Sequence, residues 1–220
     1  MDFFNENGYV ILNNIFDIDL LNQCKKEIIN YKNNNKLISN ANGYTIVDFV
    51  KNDNLKITSS LKDNIIINEI LKDLFNTDDF RFCSHNDIGI NRVVGWHKDK
   101  LNGKYSSYET INIWNEYEGE KHEIVKVLIY LQDHSNNNDA LKIIPKSHLN
   151  PKIEINNIIQ LRPKLGDVII FDQRITHSGM DNQINDDRIL VAFGFGKNNI
   201  FTDNFEKGTI QRQNDQNNSI

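Results

Sequence analysis

Apolar positions recur along this chain in two rhythms, and the change near residue 80 separates a helical opening from a strand-rich remainder. Residues 18–31 place Leu21, Cys24 and Ile28 at helical spacing with Lys25, Lys26 and Glu27 turned outward. Asp17 stands ahead of them as an N-cap whose carboxylate can accept the orphan backbone N–H groups of the first turn. Residues 63–75 carry a second broad apolar face in Ile66, Ile67, Ile70, Leu71 and Leu74. They read as a helix, although the run Ile65-Ile66-Ile67 also suits a strand. Gly8-Tyr9-Val10-Ile11-Leu12 predicts a first strand after a helical turn at Phe3-Phe4. The polar, Asn-rich residues 32–42 read as a loop, and 43–50 as a short strand.

Beyond residue 80, short apolar runs alternate with polar turns, the pattern of an all-β sandwich or barrel. Strands are predicted at 81–86, 91–96, 110–114, 124–131, 141–144, 158–161, 168–171 and 188–194. Eight strands after a helical preface predict a mainly β (α+β) fold, a double-stranded β-helix of jelly-roll or cupin-like form with the N-terminal helices packed outside. A single domain is expected over residues 1–210, with the Asn/Gln-rich stretch 211–220 as a disordered tail. The polar link 100–123 is long for a mere joiner and is expected to act as a lid or binding loop. Tyr105, Tyr108, Trp114 and Tyr117 give it aromatic surface.

Composition narrows the classes of partner. A chain of 220 residues can bury about 70% of its unfolded surface without staples. Its net charge of -5 provides no basic footprint for nucleic acid and no polybasic membrane patch. Cys24 and Cys83 fit neither a metal-binding pair nor a disulfide framework, so both are expected reduced. Asp2 and Glu6 near the start, with no basic stretch before a long apolar core, do not make a signal peptide. No run approaches the roughly 20 apolar residues of a membrane span. The expectation is a cytoplasmic protein, with nucleic acid and membrane disfavoured as partners.

The chemistry concentrates in Trp96-His97-Lys98-Asp99. On a strand alternate side chains share a face, so His97 and Asp99 project together, roughly 6.5 Å apart at Cα, and Lys98 points away. His177, after the apolar run Val168-Ile169-Ile170-Phe171, supplies a third donor. Two histidines and one carboxylate with the opposite positions open form the facial triad that suits Fe(II) in oxygenases. Arg188 opens the run Ile189-Leu190-Val191-Ala192-Phe193. A turn through 180–187 would fold that run beside the strand leading to His177, bringing a guanidinium fork to a dicarboxylate's distal end. Lys126 alternates with Val125 and Val127, so it either reaches a cosubstrate or substrate carboxylate or faces outward. His148 reads as a turn-shaping residue, and His85, His122 and His134 as solvated.

Taken in order, these pieces resemble the phytanoyl-CoA dioxygenase family of Fe(II)/2-oxoglutarate-dependent oxygenases. Phe3-Phe4-Asn5-Glu6-Asn7-Gly8-Tyr9-Val10-Ile11 is similar to its opening, and Trp96-His97-Lys98-Asp99 to its first metal motif. Ile144-Pro145-Lys146-Ser147-His148 resembles its Pro-Gly-Ser-His turn. Gly166-Asp167-Val168-Ile169-Ile170-Phe171 precedes the distal His177, and Arg188 stands at the usual eleven-residue offset. The chain departs from the pattern at Lys98 (often Gln), Asp139 (usually Gly), Lys146 (Gly) and Gly179, where some members carry a hydroxyl that assists the arginine and where Ser178 is the available substitute.

The resemblance implies Fe(II) on His97, Asp99 and His177, and 2-oxoglutarate chelating the metal with Arg188 on its far carboxylate. It also implies reaction with O2 to succinate and CO2, with hydroxylation of a small molecule or a modified biopolymer group. Related halogenases lack the carboxylate, so Asp99 favours hydroxylation. Two other readings stay open at this point: a cupin-like isomerase or 2-oxoglutarate-independent dioxygenase, and a non-catalytic barrel that binds a ligand.

Overall fold

The computed structural model describes residues 2–40, 43–179 and 187–219. In chain order the elements are α1 (Asp2–Asn7), β1 (Tyr9–Leu12), α2 (Ile18–Asn34), β2 (Ile38–Asn40), β3 (Gly43–Val47), α3 (Lys56–Ser60), α4 (Ile65–Phe75) and β4 (Phe80–Ile90). There follow β5 (Ile124–Tyr130), β6 (Lys142–Ile144), β7 (Ile159–Gln160), β8 (Val168–Asp172), β9 (Thr176–Ser178), β10 (Ile189–Lys197) and α5 (Ile200–Asn217). Both predicted N-terminal helices form where their caps place them. Asp17 accepts from Asp19 and Leu20 N–H, and Asn64 from Ile66 and Ile67 N–H.

The strands form a seven-stranded antiparallel sheet in the order β1-β8-β5-β10-β4-β3-β2 and a three-stranded sheet in the order β7-β6-β9. This is the expected mainly β jelly-roll arrangement, an open sandwich in which the barrel does not close. Alternation along the central strands assigns the two faces of the large sheet. Val125, Val127 and Ile129 of β5, Val168 and Ile170 of β8, and Val191 and Phe193 of β10 pack with Leu21, Ile28, Ile67 and Leu71 of the outer helices. Leu128, Tyr130, Ile169 and Phe171 turn the other way, onto Ile143 of β6 and onto Leu141 and Ile175, which lead into β6 and β9. The site lies at this second face.

Three expectations are corrected. Of the stretch 211–220, expected as a disordered tail, residues 211–217 instead continue α5. Gln213 is buried and donates to the Ser84 carbonyl at 3.0 Å, and Arg212 grips the Asp87 carboxylate at 2.9 and 3.2 Å. Polar composition cannot reveal such distant partners. Residues 91–96 and 110–114 form no strand among the described residues; 91–96 instead crosses between the sheets, with Asn91 N–H on the Arg188 carbonyl and Gly179 N–H on the Val94 carbonyl. Short strands were also missed at β2, inside the expected loop, and at β9, where Thr176 and Ser178 interrupt the apolar pattern. Of the turn foreseen over 180–187, residues 180–186 lie outside the described residues.

Candidate metal centre and its cavity

His97 and His177 come from different layers and meet as a bridge. Each backbone N–H donates to the other's carbonyl at 2.9 Å. Such a pair puts both side chains on one face, with Cα atoms about 5.5 Å apart, and the rings lean together so that the imidazole centroids lie 4.2 Å apart. Asp99, two residues past His97, returns to the same side. Its Oδ1 is 3.2 Å from His97 Nε2 and 3.6 Å from His177 Nε2. One donor atom from each of the three residues lies within 4.8 Å of the others, a set that can hold one metal ion.

The orientation of the imidazoles is fixed from behind. His97 Nδ1–H donates to the Gly95 carbonyl at 2.8 Å and His177 Nδ1–H to the Ile175 carbonyl at 3.1 Å. A carbonyl can only accept, so Nδ1 carries a proton and Nε2 is the ring nitrogen left to face the metal position. Burial, aided by the neighbouring His97, pushes the His177 pKa down to about 4, so the ring is neutral near pH 7. Burial raises the Asp99 carboxyl, but His177, His97 and Lys126 outweigh it and hold the group well below the usual carboxylate range. The donor set therefore suits a divalent metal without prior loss of a proton from His177 or Asp99.

A supporting shell locks the two ligand segments. Asp99 N–H donates to the Gln173 carbonyl at 3.1 Å, and the Gln173 amide returns a bond to the Asp99 carbonyl. Gln173 Oε1 in turn accepts from the buried His122 at 2.9 Å. Lys98 points away from the metal position, as alternation requires. Its buried ammonium donates to the Ser147 and Arg174 carbonyls, both at 2.7 Å, over the Trp114 ring. The Ser147 hydroxyl accepts Thr176 N–H at 2.7 Å. Ser147 thus touches the segments of both histidines. Lys146 explains the family's glycine at its position: its φ of 66° and ψ of -4° are left-handed backbone.

The triad forms part of the wall of a cavity of about 580 Å³ that also exposes Arg188, Lys126, Leu128, Phe171 and Leu190. The structure therefore gathers all five predicted site residues around one space. Arg188 is buried and braced, with Nη2 on the Tyr130 hydroxyl at 2.8 Å, Nε on the Asp139 carbonyl and the guanidinium over the Tyr130 ring at 5.0 Å. Lys126 is 1% exposed and faces inward, not outward. Its register partners are Phe171 on β8 and Gly194 on β10, whereas Tyr130 pairs with Leu190. At about 3.4 Å per residue, Lys126 stands roughly 13 Å along β5 from the tyrosine that braces Arg188.

Other expectations need revision. Ser178 does not replace the missing hydroxyl, since strand alternation turns it away from the side of His177, and the cavity is lined there by His177 and Gly179. His85, His122 and His134 are not solvated. His122 and His134 are buried, and His85 lines the cavity beside Asp87. His148 does shape its turn, reaching the Asn5 carbonyl at 3.1 Å. Of the long link, Leu101, Asn102 and Tyr105 line the cavity, but Trp114 lies under Lys98 and Arg174, and Tyr117 is exposed. Sequence reasoning missed Tyr130, which the period of two from Lys126 would have placed on the site face, and missed the α5 wall of Phe205, Thr209 and Arg212.

Among curated proteins, none matches the chain. Among solved structures it is similar in fold to HygX from Streptomyces hygroscopicus, crystallised with nickel and 2-oxoglutarate bound (TM-score 0.66, 15% identity, 89% of this chain and 85% of that one covered). It is also similar to AviO1 from Streptomyces viridochromogenes Tue57 (TM-score 0.67, 15% identity, 90% and 93% covered). A third is SnoN, the non-heme alpha-ketoglutarate-dependent epimerase of nogalamycin biosynthesis (TM-score 0.67, 12% identity, 89% and 81% covered). At such identities the likeness is one of fold. The sequence itself matches the phytanoyl-CoA dioxygenase (PhyH) family over residues 4–190, and the chain belongs to that family.

Proposed function

We propose that this protein is an Fe(II)/2-oxoglutarate-dependent dioxygenase that hydroxylates a small molecule. The carrying observation is the convergence, on one cavity, of three metal donors within 4.8 Å of one another and a braced, buried guanidinium. In this reading His97 Nε2, His177 Nε2 and Asp99 Oδ1 would hold the metal, the donor set of two histidines and one carboxylate that suits Fe(II). Bound iron and 2-oxoglutarate supply the oxidising power by reductive activation of O2 coupled to loss of CO2 from the cosubstrate. Arg188 takes the distal carboxylate through its free guanidinium edge, and Tyr130 and Asp139 keep that fork aimed. The apolar floor of Leu128, Phe171 and Leu190 excludes water from the space between. A metal-dependent isomerase needs no such clamp, so Arg188 favours the 2-oxoglutarate reading. Asp99, by filling a metal position, favours hydroxylation over halogenation. A neighbour in fold that is an epimerase makes the outcome the part to measure.

Anaerobic titration of the protein with Fe(II) and then 2-oxoglutarate tests the class through the metal-to-ligand charge-transfer band. The expected result is a saturable band that is lost in His97→Ala and Asp99→Ala. Product analysis of turnovers in labelled O2 then reads hydroxylation as label in the product. The absence of a band in the intact protein would sink the proposal.

A further inference from the structure

Once Arg188 and the metal are assigned, the cavity still holds an unanswered charge. Among the described residues that line it, Arg92, Lys100, Lys126, Arg188 and Arg212 are cations, and Asp87 and Asp99 are the acids. This excess stands in a chain of net charge -5. Arg212 is matched by Asp87, with contacts of 2.9 and 3.2 Å. Asp99 belongs to the metal, and a bound 2-oxoglutarate dianion would be divided between the metal and Arg188. Lys126 is then left without a counter-ion. It is 1% exposed, and its ammonium makes no hydrogen bond among the described residues, lying 4.7 Å from the centre of the Phe205 ring. A buried charge in that condition is costly until something pairs with it.

The surroundings give this end of the cavity the character of a binding subsite. Thr209, one helical turn beyond Phe205 on α5, is 1% exposed, and its hydroxyl is buried with no partner among the described residues while the residue lines the cavity. His85, stacked on Phe205 at 6.1 Å, presents a second unpartnered polar atom, Nδ1. The two cations are held against different walls, the Lys126 ammonium 4.7 Å from the centre of the Phe205 ring on α5 and the Arg188 guanidinium 5.0 Å from that of Tyr130, four residues further along β5. Lys126 therefore does not share the cosubstrate's far end with Arg188.

We propose that the substrate is a small organic acid whose carboxylate or phosphate group is held by Lys126, with Thr209 donating a further hydrogen bond, on the side of the metal away from Arg188. The inference rests on the Fe(II)/2-oxoglutarate reading and deepens it.

The test uses the full chain loaded anaerobically with Fe(II) and 2-oxoglutarate and follows the charge-transfer band during titration with matched probes. Benzoate and glycerol 3-phosphate carry the anion, and benzamide and glycerol are their neutral counterparts. The expected result is that one or both acids perturb the band, that their neutral partners do so at least tenfold more weakly, and that the stronger acid identifies the group. Lys126→Met should weaken the acid's effect about tenfold, Lys126→Arg should restore most of it, and Thr209→Val should produce a smaller loss. All of these variants should keep the 2-oxoglutarate Kd within threefold of the parent. The proposal is overturned if acids and neutral probes act alike. It is equally overturned if Lys126→Met loses 2-oxoglutarate as Arg188→Met does, which would make Lys126 a cosubstrate contact. Failure of the band to form in the intact protein is a different result, and strikes the cofactor reading itself.

Discussion

His97 and His177, far apart in sequence, exchange both of their backbone hydrogen bonds at 2.9 Å. The metal position is therefore drawn together by main chain, and each imidazole hangs from a pairing that does not depend on the ring itself. It follows that His97→Ala or His177→Ala should abolish Fe(II) binding while leaving the fold nearly intact. The expected loss of stability is no more than about 2 kcal/mol, as for a moderately disruptive point change. Calorimetric metal titration beside urea unfolding separates the two effects. Global unfolding of either variant would show that the metal site, not the backbone pairing, organises this region.

Lys98 makes a complementary case. Its ammonium ties the Ser147 and Arg174 carbonyls together from the side of the strand away from the metal. Lys98→Met keeps the stem's packing but leaves those acceptors unanswered, so stability should fall by about 2 kcal/mol. Because Ser147 and Arg174 flank the segment that presents His177, Fe(II) affinity should also fall roughly tenfold, the usual effect of removing a group behind a ligand. Unchanged metal affinity in a folded Lys98→Met protein would confine Lys98 to packing.

How far the sequence could be read depended on whether a residue's role is set by its near neighbours. The triad was legible because His97 and Asp99 share a strand face and His177 ends an apolar run. The outer helices were legible from spacing and, for α2, from the Asp17 cap. The C-terminal helix was not. Its buried stripe includes Thr202, Gly208, Thr209 and Gln213, which carry little apolar signal, and its polar contacts include Arg81, Ser84 and Asp87 on β4. Gly208 is small because Leu101 lies against it, so that an added Cβ would meet Leu101 Cδ1 at 2.3 Å. Arg188 was foreseen as a clamp, but its brace on Tyr130 required knowing the β5–β10 register.

Gly8 and Lys146 offer opposite tests of backbone geometry in the opening and Pro-x-Ser-His segments. Gly8 has φ +79°, and an added Cβ would lie 2.4 Å from His148 Nδ1. Gly8→Ala should therefore destabilise by about 2 kcal/mol or more, combining left-handed strain with the clash. Lys146 already adopts φ 66°, so Lys146→Gly should relieve about 1 kcal/mol of the same strain while losing the exposed contact with Glu6 at 2.6 Å. Urea midpoints that move down for Gly8→Ala and up for Lys146→Gly would agree; the reverse order would refute the assignment.

Buried neutral histidines predict acid sensitivity. Burial, with the charge of Lys126 as a second cause, pushes His85 down to about 3, and burial pushes His122 down to about 4. Their unfolded pKa is near 6.5. Below that value the unfolded chain binds protons that the folded chain refuses, so this contribution is complete above pH 6.5 and is lost as pH falls toward 4 and 3. Between pH 7 and 5 each histidine should remove about 2 kcal/mol. Urea unfolding at the two pH values should show the loss, and His122→Gln, which keeps an amide donor for Gln173, should remove about 2 kcal/mol of it. An unaltered pH dependence in that variant would show that His122 is not held neutral.

The Arg188–Tyr130 pair tests the clamp itself. Burial raises the Tyr130 pKa, keeping it a neutral phenol whose oxygen accepts Arg188 Nη2 at 2.8 Å while its ring lies under the guanidinium. Tyr130→Phe removes the hydrogen bond but keeps the ring, which amounts to about 1 kcal/mol of orientation. The 2-oxoglutarate Kd should rise about fivefold. Arg188→Met removes a fork able to make two charge-assisted bonds of about 1.5–3 kcal/mol each and should raise Kd by at least about a hundredfold. Arg188→Lys should recover little, because a single ammonium cannot match the planar two-point contact or the stacking on Tyr130. Anaerobic charge-transfer titration of the four proteins reads all of these values. A Kd in Arg188→Met close to that of the parent would remove Arg188 from the cosubstrate site, and a Tyr130→Phe protein as impaired as Arg188→Met would move the main contact to the phenol.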